Sequence, residues 1–375
     1  MHHVTSEADL DSRRASLGLG LALPGDILLY LLLPMYAAQF GVTLAEAGLL
    51  LAANRLIRIV GYGWVTRFYS RHGDRLTCLL AVGGSVLCAS GYGWASGFWM
   101  LLPLRLLWGL CFAALNLSTQ ALATAEPTGA ARRSGHSRAF IALGPALALP
   151  LGALVAHWYG PRPIFFLLAA VALFGFLAVR NLPSRPHPIP LQRRRLKLPG
   201  SLDAWSFLEG LILDGLFILG LAYLGKELFP GGAVVVAGLL MMLRYLGEIV
   251  LSPLGGHMAE RFGAERLLVV LSSLTCVVLV GFGAGLVWSC GASILILRSL
   301  QMPLLAPIVS RRTAGPGRVQ ALASRLIWRD IGAGAGPIIA GLLLPVVPPL
   351  WLYAIAAALL ALVTFACASS WKTTP

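Results

Sequence analysis

Charged side chains stand inside several of the longest apolar stretches of this sequence. Asp26, Asp214 and Glu248 are carboxylates in such stretches, and Arg105 and Arg298 are guanidinium groups. Placing one ionised side chain at the centre of a bilayer costs on the order of 3 kcal/mol. Carboxyl groups can exchange protons, and guanidinium groups bind carboxylates and phosphates. We therefore expect these residues to line a hydrated cavity, to pair with one another, or both.

Two closely spaced pairs belong to the same class of embedded charges. Arg55 and Arg58 are three residues apart, and Arg244 and Glu248 are four apart. In a helix, each of these spacings places both side chains on one face. Two interpretations stay open: the arginines are neutralised by acids on the same or neighbouring helices, or they bind an anion.

Asp26 and Asp214 have the best placement for proton exchange. Each lies near the middle of an apolar stretch and next to a glycine, Gly25 or Gly215. Burial favours the neutral form of a carboxyl group and a nearby guanidinium favours the charged form, so such a group can trade a proton with substrate or with water. The alternative is a packing carboxyl that stays protonated. Glu209 is expected nearer the end of its helix, in reach of interfacial water.

The overall composition excludes a water-soluble fold. Of the 375 residues, 58% are hydrophobic and 12% charged, and the mean hydropathy is +0.80. Such a chain cannot hide its apolar surface in a soluble core, which predicts an integral membrane protein. The net charge of +14 resides in short loops and forms no basic face, so we expect no nucleic-acid partner. The sequence has no metal, nucleotide-binding or nucleophile motif, which predicts a protein that is not an enzyme and that uses no metal or cofactor.

Apolar windows of roughly 20 residues, the length that spans a bilayer as a helix, occur twelve times. Helices are the expected structure because lipid offers no partner to an unpaired backbone group. The windows are 16–39, 44–66, 76–95, 98–122, 137–158, 163–180, 204–225, 232–253, 266–288, 290–310, 319–344 and 348–370.

The connections between windows alternate in charge. One set is basic and the other holds only Arg162 and Lys226. Short loops rich in Lys and Arg stay on the cytoplasmic side, so both termini and the linker at 181–203 are predicted to be cytoplasmic. The linker separates six helices in residues 1–180 from six in 204–375. Outside the linker, the basic set comprises Arg67, Arg71, Arg75, Arg132, Arg133, Arg138, Arg180, Arg261, Arg266, Arg311, Arg312 and Arg318.

The two halves are related by a repeat at an offset of 190 residues. The stretch "AGLLLAANRLIRIV" at 47–60 returns as "AGLLMMLRYLGEIV" at 237–250, and "SRHGDRL" at 70–76 returns as "ERFGAERL" at 260–267. Two six-helix bundles from one duplicated unit are therefore predicted. Parallel repeats of this kind are typical of transporters that rock two halves around a site near the midplane.

The second loop of the repeat carries a specific motif. "GHMAERFGAER" at 256–266 resembles the signature that the major facilitator superfamily carries between the second and third helix of a bundle, through Gly256, Glu260, Arg261, Gly263 and Arg266. The resemblance extends over the whole chain and implies an all-α membrane fold of two pseudo-symmetric bundles. It also implies that this loop, with Arg71 in the first half, locks the cytoplasmic gate. The first-half copy departs from the signature, with Thr66 for the glycine and Ser70 for the acid.

Further residues acquire roles through the same resemblance. "RLLWG" at 105–109 is similar to the family's motif for proton coupling, which points to Arg105 beside Asp26 and Asp214. "GAGAGPIIAG" at 332–341 resembles the antiporter signature, although the family carries that signature in the fifth helix, where this chain has "GPALALPLG". The family's packing of the second helix against the eleventh implies a gating bridge from Arg58 to Asp330.

Three functions follow from these residues. The leading hypothesis is a monomeric, proton-driven antiporter of the bacterial inner membrane that exports a small organic molecule, drug-like or siderophore-like. The alternative is a transporter of a small anion, such as an organic acid, a phosphorylated metabolite or an oxyanion, bound by Arg55, Arg58 and Arg244; arginines already paired with acids would count against it. A third possibility is a transport fold retained as a sensor or assembly factor. The candidate substrate contacts are Asp26, Tyr30, Arg58, Asn116, Asp214, Arg244, Glu248 and Arg298.

Overall fold

The computed structural model describes residues 7–184, 200–228, 233–313, 315 and 317–372. Residues 185–199, which are most of the predicted linker and include all of its arginines, lie outside these residues. Within them the chain is helical and contains no strand. The α-helices are α1 Glu7–Ala22, α2 Pro24–Met35, α3 Leu44–Trp94, α4 Phe98–Ala123, α5 Ala130–Tyr159, α6 Pro163–Val179, α7 Ser201–Glu209, α8 Phe217–Leu228, α9 Ala233–Phe262, α10 Ala264–Gly283, α11 Val287–Gln301, α12 Leu305–Arg312, α13 Arg318–Leu343 and α14 Pro349–Lys372.

Local interruptions explain why these helices outnumber the apolar windows. Pro24 opens α2 directly after α1, and Gly73, at φ 75°, divides the long helix α3 into two. A π-helical stretch, Gly210–Leu216, joins α7 to α8. Proline lacks an amide hydrogen and glycine alone adopts a positive φ without a steric cost, so such residues break a helix. With α1–α2, α7–α8 and α11–α12 each joined and α3 divided at Gly73, the described residues form twelve helical segments, which follow the order of the twelve windows.

Length and composition identify this protein as a multi-pass membrane protein. Nine helical stretches of the described residues are long and apolar enough to cross a bilayer, and one of the nine, Ala45–Trp94, contains the turn at Gly73. α6 is apolar but shorter. Most segment ends lie within a few residues of the predictions, but α1 begins at Glu7 rather than 16, α5 begins at Ala130 rather than 137, and α9 ends at Phe262 rather than 253.

The start of α3 shows how the sequence sets a helix end. The Thr43 hydroxyl accepts a hydrogen bond from the Glu46 amide at 3.2 Å, and the Glu46 carboxylate accepts one from the Thr43 amide at 2.8 Å. This reciprocal capping satisfies two amide groups that have no partner inside the helix. The helix that carries Arg55 and Arg58 therefore has a well-defined start.

Two helix pairs form most of the contact between the N-terminal half, residues 7–179, and the C-terminal half, residues 201–372. α5 packs along α9, and α3 packs against α13. α5 and α9 approach so closely that a Cβ atom on Gly256 would lie 2.5 Å from the Ala131 carbonyl oxygen, and one on Gly135 would meet the Ser252 carbonyl. Small residues permit this approach of two backbones. The embedded charges lie along these interfaces and inside each half.

Candidate functional site

In the N-terminal half, Asp26 forms a buried ion pair with Arg105, which we call the N-terminal pair. Asp26 lies in the first turn of α2, just after the break at Pro24. The Arg105 Nη1 atom, on α4, contacts the Asp26 carboxylate, and its Nε donates to the Leu50 carbonyl at 3.1 Å. Asn54 on α3 donates from Nδ2 to Asp26 Oδ1 at 3.2 Å. Asp26 therefore has one cationic partner and one amide partner, and the guanidinium of Arg105 is fully buried.

The predicted substrate contacts of this half surround or extend the pair. The Tyr30 ring centroid lies 5.2 Å from the Arg105 guanidinium, and its hydroxyl donates to the Leu51 carbonyl at 2.9 Å. Asn116 is buried further along α4, and its Oδ1 accepts a hydrogen bond from Gln120 at 3.4 Å. Tyr30 thus lies at the pair itself, and Asn116 lies about three helical turns after Arg105 on α4.

The C-terminal half holds a larger cluster, which we call the C-terminal network. It comprises three acids and three arginines from four segments: Glu209, Asp214, Arg244, Glu248, Arg298 and Arg329. Asp214 is its centre, with Arg298 in direct contact, Arg329 Nη2 at 2.7 Å and Arg244 Nη2 at 3.8 Å. Their formal charges balance.

The remaining acids tie the network together. Glu209 accepts from Arg329 Nε at 2.9 Å and lies 4.0 Å from Arg298 Nε. Glu248 lies 3.4 Å from Arg244 Nε and 3.6 Å from Arg298 Nη1. Every arginine of the network therefore contacts at least two of its carboxylates. The prediction for Glu209 was wrong, since this residue is 3% exposed and belongs to the network rather than to interfacial water.

A π-helical stretch positions the two acids of the first C-terminal segment. Glu209 ends α7 and Asp214 lies five residues later within Gly210–Leu216. The wider π turn brings residues five apart closer to one face than a regular α-helix does, and such turns recur at functional sites. Both carboxylates consequently reach Arg298 and Arg329.

The two halves are connected by arginines of α3 that reach α13. Arg58 Nη2 lies 3.4 Å from Asp330 Oδ1, and its guanidinium also stacks 4.6 Å from the Phe112 ring centroid. Arg55 donates to the Ala333 carbonyl. Among the described residues, Arg58 Nε and Asp330 Oδ2 are buried without a hydrogen-bond partner. This contact between the halves therefore has fewer hydrogen-bond partners than the N-terminal pair or the C-terminal network.

Comparison with known proteins identifies the family. The sequence model for the Major Facilitator Superfamily matches residues 15–231, more than half of the chain. The protein belongs to the major facilitator superfamily. Members of this superfamily are transporters, and the chain is accordingly a membrane transporter and not an enzyme.

Relatives with curated names give the same family at low identity. The Multidrug resistance protein MdtG of Citrobacter koseri is 24% identical over 337 residues, which cover 82% of this chain and 81% of that protein. MdtG of Salmonella paratyphi A is 24% identical over 271 residues, covering 66% of each chain. The solved structure of the human organic anion transporter MFSD10 (TETRAN) has a TM-score of 0.77 and 16% identity, covering 96% of this chain and all of the other. That likeness shows the major facilitator fold.

The superfamily loop motif lies at the end of the α5–α9 interface where α5 begins and α9 ends. We call this side of the molecule, on which α6 ends and α7 begins, the linker end. The Glu260 carboxylate accepts a hydrogen bond at 3.2 Å from the backbone amide of Arg132, in the first turn of α5. A negative charge there also complements the helix dipole. Gly263 has φ 88°, which explains the glycine in the motif. Arg261 lies over the Phe262 ring at 5.4 Å.

The first-half copy of the motif differs in these contacts. Gly73, aligned with Gly263 by the repeat, also has a positive φ. Ser70, in the acidic position, instead donates from its hydroxyl to the Arg67 carbonyl at 2.8 Å, and Arg71 is exposed. The linker end is also joined by Arg318, which donates to the Thr124 carbonyl. The Glu260 contact therefore has no counterpart at Ser70.

Three residues were not predicted to belong to the site from the sequence, although Glu209 and Arg329 were recognised as charges within apolar stretches. Glu209 and Arg329 belong to the C-terminal network, and Arg138 lines a cavity next to it. Arg138 was assigned to a basic loop, but α5 begins at Ala130, so this arginine lies two turns inside the helix. The five-residue spacing of Glu209 and Asp214 could have indicated that Glu209 belongs to the site. Nothing in the local sequence distinguishes Arg138 from the loop arginines beside it.

The described residues show no grouping of three or more His, Cys, Asp or Glu side chains suited to a metal ion. All six cysteines are free thiols. The chemistry available in the site is that of carboxylates that compete for guanidinium groups and for protons.

Proposed function

We propose that this protein is a proton-coupled antiporter that exports a small organic molecule, drug-like or siderophore-like, across the bacterial inner membrane by alternating access. One observation carries the proposal. Each half places an acid from its first segment against a buried arginine from its fourth: Asp26 with Arg105, and Asp214 with Arg298. The same arrangement therefore occurs on both sides of the central interface.

Such a pair can couple a proton to a conformational change. A carboxylate that holds a guanidinium releases it when protonated, because the Coulomb attraction is lost while the hydrogen-bonding group remains. The freed arginine then seeks another acceptor. Asp26 and Asp214 lie where a change of partner alters the packing of the first segment against the fourth.

Alternating access requires a contact between the halves that one state makes and the other breaks. The Arg58–Asp330 contact between α3 and α13 fits this role, since it joins the halves through one 3.4 Å ion contact and leaves a carboxylate oxygen unpaired. At the linker end, Glu260 and Arg132 join α9 to α5. We assign both contacts to the gate, together with Arg71, Gly256, Arg261 and Gly263.

Export is supported by the curated relatives and by the glycine-rich helix α13. MdtG bears the name of a multidrug resistance protein. Gly332 and Gly336 face the backbone carbonyls of Phe207 and Leu211, so α13 lies directly against the segment that holds Glu209 and Asp214. This is the segment whose glycines and Pro337 resemble the antiporter signature.

The alternative, a small anion held by Arg55, Arg58 and Arg244, receives less support from the geometry. Arg58 faces Asp330 and Arg244 faces both Asp214 and Glu248. Arg55 donates to the Ala333 carbonyl. All three guanidinium groups have protein partners, so an anion would need to displace them.

The proposal is tested by flux in proteoliposomes with and without an imposed pH gradient. We compare the parent with Asp26→Asn and Asp214→Asn, using rhodamine 123, carboxyfluorescein and a neutral coumarin as cationic, anionic and neutral dyes. Asparagine keeps the size of the side chain but cannot take up the proton, so accumulation against a gradient should stop while exchange continues.

Asp11→Asn is the matched control, because Asp11 is an acid in the first segment that pairs with Arg14 away from the embedded charges. It should accumulate dye as the parent does. If Asp26→Asn and Asp214→Asn both respond to the pH gradient like the parent, neither acid is the coupling site. A parent that moves none of the three dyes contradicts a drug-like substrate.

The proposed orientation has a separate test. Cysteines introduced at Ser184 and Ser201, which flank the linker, should resist impermeant reagents added outside intact cells if the linker is cytoplasmic. Ready labelling from outside would reverse the orientation. A cysteine at Arg162, in a connection of the other set, is the positive control.

A further inference from the structure

A cavity adjoins the C-terminal network at the linker end of the molecule. Helices α4 and α5 of the N-terminal half and α7, α12 and α13 of the C-terminal half border it. Its lining includes Glu209 and Arg329 of the network, together with Gln120, Ser134, Arg138 and Trp205. A cavity between the halves that touches the charged network is placed to receive what the transporter moves.

Arg138 supplies a positive charge to this cavity that no described residue neutralises. Its guanidinium makes no ion pair and no hydrogen bond with any of the residues that the structure describes. Its electrostatic neighbours are Arg329, Glu248, Glu209 and Arg298, all members of the balanced network. Glu209, the acid that also lines the cavity, is already engaged by Arg329 at 2.9 Å and approached by Arg298 at 4.0 Å. The charge of Arg138 is therefore surplus.

Two uncharged donors border the same cavity without an acceptor, beside Arg325, whose Nε lies 3.3 Å from Asp203 and whose Nη1 has no hydrogen-bond partner among the described residues. Trp205 is 1% exposed and Ser134 is 6% exposed. Within the described part of the chain, neither the Trp205 Nε1–H group nor the Ser134 hydroxyl has a hydrogen-bond partner. A buried donor without an acceptor costs about 1–3 kcal/mol, so such groups usually mark an unfilled partner.

The three groups have a common chemistry. A guanidinium and an indole N–H donate only, and a hydroxyl can donate. The ring of Trp205 adds an apolar face beside them. A group that accepts several hydrogen bonds and carries negative charge is complementary to this set, whereas a cation would face uncompensated repulsion from Arg138.

We infer that this cavity binds the anionic group of an amphiphilic organic acid, a carboxylate, sulfonate or phosphate, through Arg138, with Trp205 against the apolar part. The inference rests on the proposed export function and names its substrate class. It differs from anion binding by Arg55, Arg58 and Arg244, because the Arg138 guanidinium has no partner among the described residues that an anion would need to displace.

The test compares two probes that differ in charge but little in shape, naphthalene-2-sulfonate and naphthalene-2-sulfonamide. Their affinity for the full chain in phosphatidylcholine nanodiscs is measured by calorimetry, without any pH gradient. The parent should bind the sulfonate at least tenfold tighter than the sulfonamide. Arg138→Gln should weaken the sulfonate about tenfold or more and leave the sulfonamide unchanged, because a charge-assisted hydrogen bond is lost.

Additional variants separate binding from folding. Arg311→Gln removes the same charge from an exposed arginine at the linker end of α12 and should not change either affinity. Trp205→Phe keeps a ring but removes the N–H, and should weaken the sulfonate by about threefold to tenfold. Arg138→Lys keeps the charge and should fall between parent and Arg138→Gln.

Several outcomes would overturn the inference. These are equal affinity for the two probes, no binding of the sulfonate, or equal losses for both probes in Arg138→Gln. Repeating the measurement with phosphatidylglycerol in the nanodiscs tests a lipid source: loss of sulfonate binding there would assign the site to a lipid headgroup. Because binding is measured without a gradient, it can succeed when proton coupling fails, and the reverse also holds.

Discussion

Both halves place an acid beside a buried arginine, but the two pairs are surrounded by different numbers of charged residues. In the N-terminal pair, Asp26 and Arg105 are each other's only described ionic partner, supplemented by Asn54 and the Leu50 carbonyl. In the C-terminal network, Asp214 shares three arginines with Glu209 and Glu248. Both clusters are neutral, yet one has a single ionic contact and the other has several.

This difference decides how each cluster responds to a change of charge. Neutralising one member of an isolated buried pair leaves the other without compensation, which is strongly unfavourable. In a network the remaining acids can take over part of the lost interaction. The N-terminal pair should therefore respond more strongly when one of its charges is neutralised. The C-terminal network should be less affected by the loss of one charge. Four experiments would break or sharpen this contrast.

The largest expected effect is on stability. Asp26→Asn should lower the free energy of unfolding by about 3–5 kcal/mol, because Arg105 stays buried without its carboxylate. Asp214→Asn should cost about 1–2 kcal/mol, since Arg244, Arg298 and Arg329 each keep another acid. Thermal unfolding of the purified variants in one detergent measures the difference. Equal losses would mean that the two clusters do not differ in redundancy.

Removing both charges should separate the clusters further. Asp26→Asn combined with Arg105→Met should recover much of the stability lost in Asp26→Asn, because no charge is left unpaired. Asp214→Asn combined with Arg298→Met should recover none, since Glu209 and Glu248 then lose an arginine. The same unfolding assay applies. Recovery in the C-terminal double variant would show that Arg298 serves Asp214 alone.

The contact between the halves should show an intermediate effect. Arg58→Gln and Asp330→Asn should each reduce transport several-fold, whereas Arg58→Asp combined with Asp330→Arg should retain more transport than either. Dye flux in proteoliposomes is the readout, with protein amount matched. If the exchanged pair loses as much as the single variants, the bridge does not contribute to the gate.

The smallest effect is expected at the linker end. Glu260→Gln removes the charge at the start of α5, which is worth about 0.3–1 kcal/mol and corresponds to roughly a twofold to fivefold shift toward the open state. A cysteine at Ser134, at the cavity, should then react that much faster with an impermeant maleimide. Glu265→Gln, which removes a charge that pairs with Arg312 inside the C-terminal half and leaves the Glu260 contact in place, is the control. Unchanged labelling in Glu260→Gln would remove Glu260 from the gate.

Several features could be predicted because they depend on short stretches of chain. The apolar windows predicted the order of the helical segments, with ends that differ by up to nine residues, and both glycines that the repeat aligns, Gly73 and Gly263, have a positive φ. The loop motif led to the family, which the family comparison confirms. Each of these signals is local or repeats at a fixed offset, so it can be recognised without knowing which helices touch.

The composition of the charge clusters could not be predicted in the same way. Glu209 was assigned to the interface and Arg138 to a loop, although both lie at the cavity. The reason is geometric: a shift of the α5 start by one or two turns moves Arg138 from a loop into a helix, and the π turn rotates Glu209 toward the arginines. Small local changes of helix register alter which side chains meet across the molecule.

The sequence alone determined that this chain is a helical membrane protein built from a duplicated unit, because bilayer burial dictates apolar length and a repeat preserves its motifs. It also determined that the embedded charges need partners. Only the tertiary structure decided which partners they have: Arg105 receives one acid, Arg298 receives three, and Arg138 receives none among the described residues. That outcome depends on the depth and rotation of helices from distant parts of the chain, and neither quantity is encoded in any short stretch of residues.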